Sequence, residues 1–192
     1  MRDFWLWFST GVEHILDLSG YDHILFVVLL AIGYSFKTWK PLLFMITAFT
    51  VGHSISLALS ITTQLRFKPE LIEFLIALSI FLTAVYSLLS KENKNFRWIY
   101  ILIVFFGLIH GLGFSFLLKA MLDKEESVVF PLISFNLGLE VGQLLIVLGV
   151  LILNFCVVDI KAISFHKYKM MLVGLIGLVA LKMCVERMIV FF

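Results

Sequence analysis

The stretch Val129–Phe155 reads VFPLISFNLGLEVGQLLIVLGVLILNF, and its one charged side chain is Glu140. A helix gains about 1.5 Å per residue, so a stretch of this length crosses the roughly 30 Å of a bilayer's hydrocarbon. The same pattern recurs on both sides of it. Apolar stretches bounded by charged or turn residues lie at 41–63, 70–90, 98–118 and 168–191, each long enough to span. Two earlier stretches are less plain. Residues 21–36 are short for a span. Residues 4–18 carry Glu13, His14 and Asp17, so that segment lies at the interface, re-enters, or spans while facing protein. Connecting loops are short, and no strand alternation, low-complexity segment or usable repeat occurs. The expectation is an all-α transmembrane bundle of six to seven helices, with residues 1–192 as one domain.

Composition supports lipid as the solvent. Of 192 residues, 61% are hydrophobic and 15% charged, with a mean hydropathy of +1.07. A soluble domain is about 45–50% apolar and about 25% charged, and one of this length has no core able to hide so much apolar surface. Twenty Phe and four Trp suit the acyl region and its interfaces. The net charge of +2 and the lack of a basic run exclude nucleic-acid binding. Cys156 and Cys184 form no CxxC pair or disulfide framework. Asp3 and Glu13 argue against a signal peptide, so the N-terminal segment is expected to be retained.

Loop charge predicts orientation. Lys37, Lys40, Lys91, Lys94, Arg97, Lys161, Lys167 and Lys169 fall on one side, and Arg66, Lys68, Lys119 and Lys124 on the other. The first set is expected in the cytoplasm. The C-terminus, the junction near Gly20 and the acidic loop of Asp123, Glu125 and Glu126 are then expected outside, where a negative mouth concentrates cations.

Polar groups in hydrocarbon are costly, a central charge by at least about 2.5 kcal/mol, so the exceptions carry information. Counted from Pro41, Trp98 and Val129, the residues His53, His110 and Glu140 each lie roughly 16–18 Å deep. Asn136, Glu140 and Gln143 are spaced i, i+4, i+7 and share one face. His14, Asp17, Asp22 and His23 make a second group near the outer surface. Imidazole nitrogen and carboxylate oxygen are ligands for a borderline divalent metal.

Each has a structural alternative. His53, near Thr50 and Ser54, can simply hydrogen-bond another helix, and Gly107 and Gly111 around His110 can simply serve close packing. Glu140 can be a buried, protonated hydrogen-bonding acid. Asn136 and Gln143 suit support of Glu140 or interhelical bonding, and Gly138 with Gly142 suits helix contact. Asp22 can cap a helix start, and Glu13 with Asp17 can form a wet face. His166 reads as a solvated loop residue, and Lys182 with Glu186 as an i, i+4 pair.

Four segments resemble a known family. GVEHILDLSGYDHILFVVLL (Gly11–Leu30), FTVGHSISLALS (Phe49–Ser60), FFGLIHGLGFSFLL (Phe105–Leu118) and SFNLGLEVGQL (Ser134–Leu144) resemble, in order, the motifs of the HupE/UreJ family. These are hydrogenase- and urease-associated bacterial membrane proteins regarded as nickel or cobalt permeases. The resemblance implies an inner-membrane protein whose polar site falls on His14, Asp22, His23, His53, His110, Asn136 and Glu140. The chain departs from the best-known members in the longer spacing from His14 to Asp22 and in a single His110 where those members carry a His-rich segment. It looks more like the family's second branch.

Three functions compete. The first is a permease for a divalent transition metal, Ni²⁺ or Co²⁺ foremost, with Zn²⁺ or Fe²⁺ also fitting. In it His14, Asp22 and His23 capture the ion with Asp17 in support, and His53, His110 and Glu140 pass it on beside Asn136 and Gln143. Cu(I) is disfavoured because the Met and Cys residues are not placed with these groups. The second is an intramembrane metalloprotein or metalloenzyme with Glu140 as base, or a bis-His haem protein. The third is an accessory subunit packed in a homo-oligomer or larger membrane complex.

Overall fold

The computed structural model describes residues 2–63, 67–90, 96–121, 128–160 and 164–191. Among them the chain forms α1 (Arg2–Leu16), α2 (Asp22–Ala31), α3 (Lys40–Thr62), α4 (Pro69–Leu89), α5 (Phe96–Met121), α6 (Val129–Asn154) and α7 (Phe165–Phe191). A wider π-helical turn, Phe155–Ile160, continues α6. No strand occurs among the described residues, so the all-α membrane bundle expected from hydropathy is what forms. Proline opens α3 and α4, where its missing N–H has no helical partner to lose. Helices α3, α4, α5 and α6 are long and apolar enough to cross a membrane. α7 matches them in length, with 27 residues.

Small residues set the pairing. α3 and α5 run parallel in backbone contact: Gly52 lies against the Val104 carbonyl, and Gly107 against the Phe49 carbonyl. A Cβ at either glycine would overlap that oxygen. α1 and α6 are paired the same way and are also parallel, with Phe4 near Phe130, Gly138 on the Phe8 carbonyl and Gly142 on Ile15. α4 and α7 are antiparallel, Gly177 facing Ala84 and Arg187 bonding the Glu73 carbonyl.

These registers fix where α1 and α2 stand. α1 starts at the same end of the bundle as α6 and runs beside its first half. α2 then continues beside the second half, because Asn154 Nδ2 donates to the carbonyls of Ile32 (3.3 Å) and Tyr34 (2.8 Å). The two short helices thus lie end to end along α6, with a break at 17–21 between them. The start of α1 and the ends of α3, α5 and α7 share one bundle end with Lys68 and Lys119. Lys37, Lys40, Lys167 and Lys169 mark the other.

One expectation is corrected here. The junction near Gly20 is not at a bundle end. It sits about halfway along α6, because the small residues Gly11, Gly138 and Gly142 let α1 lie against α6 in parallel. The 4–18 segment is therefore the first half of a broken helix. Lys91, Lys94, Lys161, Arg66, Lys124 and the acidic Asp123, Glu125 and Glu126 lie outside the described residues. His166 is exposed, and Lys182 pairs with Glu186 at 3.5 Å as the spacing suggested.

Candidate metal centre

Four helices deliver one histidine each to the level of the break. His14 is on the last turn of α1 and His23 on the first turn of α2. His53 is halfway along α3, and His110 halfway along α5. The close α3–α5 contact at Gly52 and Gly107 brings the last two to one height. His53 and His110 are fully buried, and His23 nearly so.

Ring centres lie 4.6 Å apart for His14–His23, 5.8 Å for His14–His53, 6.0 Å for His23–His53 and 5.1 Å for His23–His110. Ligand nitrogens of His14, His23 and His53 all fall within 4.8 Å of one another. Phe26, Phe49, Phe114 and Phe135 wall the group, Phe114 at 4.0 Å from His14 and Phe49 at 5.1 Å from His110.

The hydrogen bonding is incomplete in a telling way. His110 Nδ1 lies 2.8 Å from the Phe106 carbonyl. A carbonyl only accepts, so Nδ1 carries the proton and Nε2 presents a lone pair. Nε2 of His14, His23 and His110 and both ring nitrogens of His53 are buried with no hydrogen-bond partner. Buried polar atoms are normally satisfied. Orphaned imidazole nitrogens as close as those of His14, His23 and His53, with His110 packed on His23, are a donor set suited to a borderline divalent ion.

The structure groups the sequence candidates differently from the expected outer and midplane sets. His14 and His23 join His53 and His110, because the break lowers them from the surface to mid-depth. The carboxylates stand apart. Asp22 Oδ2 accepts from Arg187 at 2.8 Å and does not cap α2 by its side chain. Glu140 accepts from Thr47 at 2.7 Å, on the outer side of the α3–α6 contact. Asp17 accepts the Ser19 N–H at 2.9 Å and the Ser19 hydroxyl. Gln143, wholly buried, accepts from Thr50 at 2.9 Å. Asn136 donates to the Leu132 carbonyl at 2.7 Å, and its Oδ1 is buried without a partner.

Arg187 is the residue that sequence reasoning passed over. An arginine in the last apolar helix and an aspartate in the second both need partners in hydrocarbon, which was the available signal.

The chain is thus a helical membrane bundle with a cluster of buried histidines at a helix break. The model described as HupE / UreJ protein matches residues 1–187, and the chain belongs to that family. The family comprises metal-linked accessory and permease-like membrane proteins, nickel and cobalt being its metals, and is not known for enzymes. No curated protein and no solved structure matches the chain.

Proposed function

We propose that this chain is a single-domain permease for a divalent transition-metal ion, Ni²⁺ or Co²⁺ foremost, and that His14, His23, His53 and His110 hold the ion in transit. The observation that carries this reading is the set of buried imidazole nitrogens left without partners on four helices around one break. Zn²⁺ and Fe²⁺ share the ligand preference. Asp22 and Glu140, on Arg187 and Thr47, serve at the margins of the chamber. Thr50 with Gln143 and Thr47 with Glu140 extend polar groups from His53 toward the other bundle end. Broken helices that end at a midplane site are a recurring transporter device.

In this reading the α1–α2 pair crosses once and α3 to α7 once each, in a bacterial inner membrane. The excess of loop lysines supports the Lys37, Lys40, Lys167 and Lys169 end as cytoplasmic and the C-terminus as extracytoplasmic.

The test is to purify the protein without chelator, measure bound metal by inductively coupled plasma mass spectrometry, and follow radioactive nickel entering proteoliposomes. Near-stoichiometric metal, lost with uptake in His53→Ala, is expected. A wild type that holds no metal after loading at pH 8 overturns the reading.

A further inference from the structure

Among the described helices, the short α1 is the most markedly two-faced. Gly11, Ile15 and Trp7 are buried toward the bundle. The opposite face exposes Ser9 and Glu13 at i, i+4, with Trp5, Leu6 and Leu16 beside them, and Asp17 follows one residue past the helix end. That face starts near the bundle end and finishes at the break. There the backbone leaves helical geometry with Leu18 82% and Tyr21 41% exposed.

The face lies beside the first half of α6, at hydrocarbon depth. Lipid is a poor neighbour for two carboxylates. It is a worse one for irregular backbone, which membranes tolerate only where protein buries it or water bathes it. A second copy packed through the same face would set Glu13 and Asp17 against their own counterparts, like charge on like. Water fits both observations. At the foot of the face stand His14 and His23, whose Nε2 atoms are buried without partners.

We infer that the exposed face of α1 lines a water-filled cleft, open at the bundle end where α1 begins, along which a hydrated divalent cation descends to the break. Glu13 and Asp17 supply the attracting charge, and the ion sheds water where the histidines begin. The cargo in this statement rests on the transport reading; the water does not.

The experiment is cysteine accessibility in intact membranes. In a Cys156→Ser, Cys184→Ser background, single cysteines replace Ser9, Glu13 or Asp17, with Thr62→Cys at the same bundle end and Leu145→Cys on the lipid side of α6 as references. A charged, membrane-impermeant methanethiosulfonate reagent is applied from each side in turn. Reaction at all three positions within about tenfold of Thr62→Cys, from the same side, and at least about a hundredfold faster than at Leu145→Cys is expected. Added Ni²⁺ is expected to slow reaction at Asp17→Cys about tenfold. Three positions as inert as Leu145→Cys overturn the cleft. So do disulfides that join these positions between two copies, since the face is then covered by protein. Full labelling with no effect of Ni²⁺ and no nickel uptake leaves the cleft standing and overturns the transport reading instead.

Discussion

The imidazole of His14 lies 4.6 Å, centre to centre, from that of His23 across the break between α1 and α2. In one continuous helix nine residues would hold those positions about 13 Å apart along the axis. The chamber therefore exists because the helix is interrupted. His53 and His110 complete it from a separate helix pair.

Substitutions should sort by whether they touch that chamber. His53→Ala is expected to lose nearly all bound metal. Glu140→Gln should stay within about threefold of wild-type metal affinity, since Glu140 is engaged with Thr47 and not with an imidazole. Isothermal titration of the two purified variants with Ni²⁺ reads the difference. Equal loss in both would place Glu140 in the ligand set.

Metal binding should weaken as pH falls. A ligating imidazole nitrogen must be unprotonated, so protons and metal compete for the same lone pairs. The sign is fixed: affinity is greatest in alkaline solution and declines on acidification. Loading measured at pH 8 and pH 5 is expected to differ by at least tenfold. A flat profile would remove the histidines as ligands.

The glycine contacts should be intolerant of a single methyl group. Gly138→Ala and Gly107→Ala put a Cβ against the carbonyls of Phe8 and Phe49, and forced backbone shifts cost about 1–3 kcal/mol each. Gly149→Ala meets nothing within 4 Å and serves as the control. Thermal unfolding in detergent should separate the first two from the third.

Asp22 and Arg187 form a largely buried pair at 2.8 Å, with 12% and 23% of their side chains exposed. Removing one partner strands the other, at a cost of about 3 kcal/mol. Asp22→Asn and Arg187→Gln should each destabilise strongly. The double variant should cost less than the two together, which a double-mutant cycle measures. Simple additivity would mean the pair contributes nothing.

Most of the helical plan was legible because hydropathy writes it directly. The stretches at 41–63, 70–90 and 98–118 match α3, α4 and α5 to within a few residues. The histidines stood out because each interrupts an apolar run. Their grouping was not legible. Depth counted from helix starts works for His53 and His110, which sit on full spans. It fails for His14 and His23, because nothing local says that α1 travels beside α6 and stops halfway. That fact lives in contacts between residues more than a hundred positions apart, such as Gly11 with Phe135 and Asn154 with Tyr34. The carboxylates misled for a related reason. Asp22 neighbours His23 in sequence, but its partner Arg187 comes from the far end of the chain.

The break also stores length. From Ile15 to Ile32 the chain spends seventeen residues to cover the height that α6 covers with twelve, from Gly142 to Asn154. Five residues of slack correspond to about 7 Å if they were wound into helix. Wound into continuous helix, the segment would overshoot its partners on α6 by that length, so the break is what lets one stretch of chain meet both Gly142 and Asn154.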